Sequence, residues 1–274
     1  FAYGKTKAVN GISFDLSRGE VLGFLGPNGA GKSTTIKMLI GMLRPQSGSV
    51  SVLGMDMRRS REEVQGRIGV CFEEKNLYQE LTGRENLEFF ARLFGIRKFR
   101  PDEILERVGL ADRGKDRVKK YSKGMRQRLM VARALVNAPD VLFLDEPTDG
   151  LDPVSARAIR SIVQQEAERG AAVFLTTHDM HEADQLSDRV AFINEGRIVA
   201  LDTPENLKLE HGTRSVMIRV REGDTVQEHS LPLGSAEAAD KLREAAGNEN
   251  LMTIHTEEAT LEDIFVRMTG RGLT

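Results

Sequence analysis

The stretch Gly26-Pro27-Asn28-Gly29-Ala30-Gly31-Lys32-Ser33-Thr34 decides the reading. It satisfies the pattern G-x-x-x-x-G-K-[S/T] through Gly26, Gly31, Lys32 and Ser33. Just before it, Val21–Leu25 is a short apolar run of strand character, and just after it the sequence turns helical. A strand, a glycine-rich loop and a helix in that order build a phosphate cradle. Glycines let backbone N–H groups turn inward on phosphate oxygens, and the helix aims its positive end at the anion. Lys32 supplies a point charge for the β- and γ-phosphates, and the Ser33 hydroxyl is a ligand for Mg²⁺. A nucleotide with Mg²⁺ is therefore expected on residues 26–34.

A second motif lies downstream, where Val141-Leu142-Phe143-Leu144 ends in Asp145-Glu146. Successive side chains of a strand point to opposite faces, so the two acids take different tasks. Asp145 is expected toward the Mg²⁺ shell and Glu146 toward the water that attacks a phosphate. Around these motifs, short apolar runs alternate with helical patterns, the mark of a parallel sheet covered on its faces. Residues 171–177 read as a further buried strand, and residues 190–193 and 198–201 flank Asn194-Glu195-Gly196 as a hairpin. Leu87, Phe90, Ala91 and Phe94 fall at helical spacing, as do Ile159, Ile162 and Val163 after Pro153. From about 78 to 136 no convincing strand stands out, so this region reads as a helical insertion. Thr203-Pro204 is a helix start with its cap. Beyond about 211, strands are expected at 215–220, 226–231 and 251–255 and helices at 236–246 and 261–268, a small α+β appendage.

The chain has 274 residues, 40 % of them hydrophobic and 29 % charged, which supports a sizeable core and excludes disorder. Lys+Arg 39 against Asp+Glu 41 gives a net charge of −2, so no nucleic-acid partner is expected. The single cysteine, Cys71, excludes an internal disulfide and a four-cysteine zinc site and fits a reducing compartment. His178 and His181 are the only close histidines, and that spacing alone does not make a metal site. No apolar run reaches the roughly 18 residues that span a bilayer. No leader stands at the start, an observation of little weight in a sequence that begins at Phe1 rather than Met.

With these motifs in this order, residues 1 to about 205 resemble the ATP-binding subunits of ABC transporters. Tyr121-Ser122-Lys123-Gly124-Met125 is similar to the family signature, usually L-S-G-G-Q, with Tyr, Lys and Met as departures. The resemblance implies that Ser122, Lys123, Gly124 and Met125 close over the γ-phosphate held by a second copy of the chain or a paralogue. Asp149-Gly150-Leu151-Asp152 matches the last two residues of the family's dimer-contact loop, S-A-L-D, and implies that Asp152 lies at the nucleotide. His178 stands where the family has its switch histidine, and Tyr3 where an aromatic ring stacks on adenine. The glutamine loop departs: Phe72 replaces Pro and Glu73 replaces Gln in Ile68-Gly69-Val70-Cys71-Phe72-Glu73. Glutamate keeps an oxygen for Mg²⁺ and loses the amide donor. The implied sets are Lys32, Glu146 and His178 for catalysis and Ser33, Glu73 and Asp145 for the metal.

The expected fold is an α/β P-loop NTPase core of ABC type. It places an ATP-binding domain at 1–205, with its helical subdomain at about 78–136, and a C-terminal α+β accessory domain at 206–274. Without a span of its own, the chain would work peripherally at the cytoplasmic face of a membrane, against a separate permease. Leu77, Tyr78 and Leu81 are candidates to line the groove for a helix of that permease. The tail Ala259-Thr260-Leu261-Glu262-Asp263-Ile264-Phe265-Val266-Arg267-Met268-Thr269-Gly270-Arg271-Gly272 and the Tyr-Ser-Lys-Gly-Met signature resemble exporter subunits of the drug-resistance, sodium and polysaccharide type. The alternative is a soluble ATPase of the same superfamily acting on ribosomes or DNA. Such proteins typically carry two of these domains or a long coiled-coil insertion, and neither is in this sequence.

Overall fold

In a computed structural model describing residues 1–72, 77–222, 225–248 and 250–270, the chain opens on a short ribbon, β1 (Ala2–Tyr3) and β2 (Thr6–Lys7). Every residue of β3 (Val21–Leu25) is buried, as a strand inside a covered parallel sheet must be. It runs into the glycine loop and α1 (Lys32–Leu39), followed by the ribbon β4 (Ser51–Val52) and β5 (Met55–Asp56) and by α2 (Arg61–Gln65). Next comes β6 (Ile68–Cys71), a strand that the sequence reading leaves unassigned.

The expected helical insertion consists of α3 (Gly83–Leu93), α4 (Pro101–Arg107) and α5 (Lys123–Ala134), with no strand element among its described residues. Thr82 and Glu85 start α3 as a reciprocal capping box. Phe94, expected within this helix, is its C-cap and is 42 % exposed, because Gly95 at φ 72° ends the helix. The chain then forms β7 (Val141–Asp145), α6 (Pro153–Glu168), β8 (Ala172–Thr177) and α7 (Met180–Leu186). The hairpin β9 (Arg189–Asn194) and β10 (Arg197–Asp202) follows, its turn made by Glu195 and Gly196, both at positive φ.

The main sheet has the order β10-β9-β3-β8-β7-β6, and all its pairs are parallel except β10–β9. The register pairs Leu25 with Thr177 and Asp145 with Thr176, so β3, β8 and β7 end at one level. That shared carboxyl edge is where α/β sheets bind ligands. Alternation divides the core: Leu22, Phe24, Phe143 and Phe174 face one layer, and Val21, Leu142, Leu144 and Val173 face the other. Phe174 is the hub of an aromatic group, 5.1 Å from Phe24, 5.7 Å from Phe14 and 5.9 Å from Phe143.

A second compact unit starts at Thr203. Its α8 (Pro204–His211) is capped by the Thr203 hydroxyl, which accepts from the Asn206 amide at 3.1 Å. β11 (Ser215–Glu222), β12 (Thr225–Pro232) and β13 (Leu251–Glu257) form an antiparallel sheet with β11 in the middle. Val216 and Ile218 of this sheet pack on Ala238 and Ala245 of α9 (Ala236–Ala246). α10 (Leu261–Thr269) packs on α8, where Arg267 donates to the His211 carbonyl at 3.0 Å. No helix among the described residues is long and apolar enough to cross a membrane.

Candidate active site

The glycine loop folds as its sequence demands. A Cβ on Gly26 would overlap the Ile193 carbonyl oxygen, and one on Gly31 would overlap the Ala8 carbonyl oxygen. Gly31 also sits at φ 113° as the N-cap of α1 and offers no side-chain cap to the helix's first amides. Those amides remain an anion site of backbone N–H groups. Asn28 and Gly29 are exposed, Pro27, Ser33 and Thr34 are half-buried, and Gly26, Ala30 and Lys32 are buried.

Lys32 does not point into solvent. Its Nζ donates to the Gly26 carbonyl at 2.7 Å and the Pro27 carbonyl at 3.4 Å, and it lies 3.2 Å from Glu146 Oε1. The last contact is an ion pair without hydrogen-bond geometry, since Glu146 Oε1 is buried and has no hydrogen-bond partner. The other carboxylate oxygen, Oε2, faces His178 Nδ1 at 2.9 Å and accepts from the His178 amide at 3.3 Å. His178 Nε2 in turn lies 3.9 Å from Asp149 Oδ1. The three expected catalytic residues, Lys32, Glu146 and His178, are thus one contiguous set brought together from the start of α1, the end of β7 and the end of β8. Glu146 holds φ 49°, a backbone region costly for a side-chain-bearing residue.

Asp145 is buried, and its Oδ1 accepts from Thr176 Oγ1 at 2.6 Å. The backbone amide of Glu146 donates to the Thr176 carbonyl at 3.1 Å. Thr176 therefore anchors both acids, a role the sequence reading missed. The available signal was a threonine pair closing an otherwise apolar strand ahead of His178.

The signature turn packs elsewhere. Ser122 Oγ accepts from the Met125 amide at 3.2 Å and so caps α5, while Tyr121 is buried and donates to the Arg113 carbonyl at 2.8 Å. A Cβ on Gly124 would overlap Ser155 Oγ, and one on Gly150 would overlap Lys123 Nζ. Asp152 caps α6 by accepting from the Val154 amide at 3.1 Å and the Ser155 amide at 2.9 Å. The Ser155 amide, aided by its hydroxyl and by Val154, holds the Asp152 carboxyl below the usual carboxylate range. Signature and dimer-contact loop are therefore one packed assembly at the start of α6. Tyr3 is 50 % exposed, its ring edge-on to Phe1 at 5.0 Å. Glu73 lies outside the described residues.

A groove of about 490 Å³ opens beside β6, lined by Ile40, Val70, Phe72, Tyr78, Phe90 and Arg133 among others. Of Leu77, Tyr78 and Leu81, Tyr78 lines this groove, Leu77 is packed against the core instead, and Leu81 is not among the lining residues. Burial pushes the nearby Cys71 thiol up to about 12, so it is no nucleophile.

The family model described as "ABC transporter" matches residues 9–149. The fluoroquinolones export ATP-binding protein of Mycobacterium tuberculosis (strain CDC 1551 / Oshkosh) is 49 % identical over 269 residues, covering 97 % of this chain and 89 % of that protein. The chain belongs to the ABC transporter family. A daunorubicin resistance ATP-binding protein of Streptomyces coeruleorubidus is 39 % identical over 294 residues, 98 % of this chain and 93 % of its own length. Among solved structures, an ATP-binding subunit of an ABC transporter superposes with a TM-score of 0.68 at 30 % identity, covering 76 % of this chain and 88 % of the other. This ABC protein is accordingly an ATP-binding, ATP-hydrolysing subunit.

The donor set near the ABC protein's phosphate loop suits Mg²⁺. Ser33 offers a hydroxyl at the second position of α1, and Asp145 offers a buried carboxylate with one oxygen fixed by Thr176. All of these donors are oxygens, as Mg²⁺ requires.

Proposed function

We propose that two copies of this chain hydrolyse ATP between them and drive a separate membrane permease that exports its cargo. The observation that carries the reading is the contact of Lys32 with Glu146 and of Glu146 with His178. It brings the phosphate loop, the end of β7 and the end of β8 to one point.

ATP would sit on residues 26–34, with its adenine against Tyr3. Its phosphates compete with Glu146 for Lys32, and the charge-assisted bonds to phosphate favour the exchange. Glu146, released, accepts a proton from water while the water oxygen bonds to the γ-phosphorus and the bond to the ADP oxygen breaks. His178 turns from Glu146 to the γ-phosphate. Ser33 and Asp145, with Glu73, would hold Mg²⁺, which when bound offsets phosphate charge. Ser122, Lys123, Gly124, Met125 and Asp152 of the second copy complete the site, so ATP joins the dimer and hydrolysis loosens it.

The groove beside β6 is the surface offered to a helix of the permease at the cytoplasmic face of the membrane. Relatives named for fluoroquinolone export and daunorubicin resistance align over 97 % and 98 % of this chain, so the likeness includes the second unit. This supports export over a soluble role on ribosomes or DNA. The test is Mg²⁺-dependent phosphate release, with Lys32→Ala as the blank, together with co-purification from gently solubilised membranes of the host. A multi-span membrane protein in comparable amount is expected. Ribosomal or DNA-repair partners with nothing from the membrane would overturn the transport reading and leave the ATPase standing.

A further inference from the structure

Glu182 is a carboxylic acid in the wrong surroundings. It lies in the first turn of α7 at 1 % exposure, where an apolar side chain would pack at no desolvation cost. Oε2 accepts from Thr148 Oγ1 at 2.5 Å, while Oε1 is buried with no hydrogen-bond partner. Burial drives its carboxyl toward the neutral form, opposed by the Thr148 bond and Arg160 and reinforced by Asp179 and Glu146. Its amide donates to Asp179 Oδ1 at 3.0 Å, which fixes the start of α7.

The partner's place in the chain gives the contact meaning. Thr148 stands two residues after Glu146 and one before Asp149, in the turn whose carboxylates face His178. α7 begins two residues after His178. His178 is held to the Glu146 turn by Glu146 and, at 3.9 Å, by Asp149, and Glu182 is held to the same turn by Thr148. Hydrolysis must break the His178 contacts, since Glu146 has to reach water and His178 has to reach phosphate. The Thr148–Glu182 bond touches neither reactant and survives.

We propose that Glu182 is a positioning residue that, through Thr148, ties the turn carrying Glu146 to the helix behind His178 and holds their separation once both side chains engage the reactants. The inference rests on the roles proposed above for Glu146 and His178. It treats the buried acid as a latch whose useful property is a hydrogen-bond acceptor at a fixed place, with no need of a charge.

The experiment uses the full chain with Glu182→Ala, Glu182→Gln, Thr148→Val and Thr148→Ser, reading kcat, KM for Mg-ATP and melting temperature together. Displacing a catalytic group by about 1 Å costs on the order of 100-fold in rate. Glu182→Ala and Thr148→Val should therefore lower kcat by about 10- to 100-fold and leave KM nearly unchanged, since the phosphate loop is untouched. Glu182→Gln and Thr148→Ser keep acceptor and donor and should restore most of the rate. The double variant Thr148→Val/Glu182→Ala should be no slower than the worse single one, because both remove the same link. A melting temperature that falls with kcat intact overturns the proposal, as does a Glu182→Gln variant as slow as Glu182→Ala. If Glu182→Ala fails to fold, the near-isosteric Thr148→Val decides alone. Lys32→Ala and Glu146→Gln separate the two readings. If both are inactive while Thr148→Val is fully active, only the latch fails; if they still turn over, the site itself was misread.

Discussion

Replacing Glu146 by Gln tests the site from two sides. Glu146 Oε1 sits 3.2 Å from Lys32 Nζ, both side chains nearly enclosed. At an effective dielectric constant of about 20, that separation corresponds to about 5 kcal/mol of Coulomb attraction before desolvation is subtracted. The desolvation of two nearly enclosed charges offsets most of that attraction. Nucleotide must break the pair to reach Lys32, so the wild type binds against the remainder. Removing the charge leaves Lys32 on the Gly26 and Pro27 carbonyls and also removes a repulsion toward the phosphates. ADP in EDTA, where neither protein turns over, should therefore bind about 10-fold tighter or better to Glu146→Gln by calorimetry, the equivalent of about 1.4 kcal/mol. With Mg-ATP the same variant should lose about 100- to 10,000-fold in turnover. It should also elute as a dimer. Unchanged ADP affinity would refute the competition for Lys32, and a monomer at saturating ATP would refute the shared site.

Three further outcomes are expected. Gly26→Ala drives a methyl into the Ile193 carbonyl and should cost about 1–3 kcal/mol in urea denaturation, besides weakening nucleotide binding. Phe174→Ala empties the middle of the aromatic group and should cost about 3–5 kcal/mol, with Phe174→Leu milder. Asp152 titrates below its ordinary range when folded, so its cap stabilises above the unfolded carboxylate pKa and is lost as pH falls through the lowered folded value. The melting-temperature gap between wild type and Asp152→Asn should be widest near neutrality and close at acid pH.

The phosphate loop was legible because its chemistry is local: a contiguous run fixes loop, helix start and lysine together. The acids at the end of β7 and the hairpin turn at Glu195-Gly196 were legible for the same reason. The order of the sheet was not. β8 inserts between β3 and β7 through contacts distant in sequence, and nothing in any one strand records its neighbours. β6 was missed because Ile-Gly-Val-Cys is a short run with glycine inside, a weak strand signal. Ser122, expected to close over a phosphate, is in the structure the cap of α5, a local use of its hydroxyl that the sequence reading did not give. Glu182 was invisible, because a glutamate within Met-His-Glu-Ala-Asp-Gln-Leu reads as solvated surface until its burial is seen.

The packing of the signature turn onto the start of α6 has a consequence for genetics. On the proposed reading, an allele carrying Gly124→Ala, which crowds Ser155, would damage what a copy lends to its mate and spare its own phosphate loop. An allele carrying Lys32→Ala would do the reverse. With the site shared as proposed above, each would be inactive when alone. Expressed together, they would form mixed dimers in which one of the two sites takes its loop from the first allele and its signature from the second, and is whole. Two null alleles should then complement each other in one cell, whereas two alleles damaged in the same element should not.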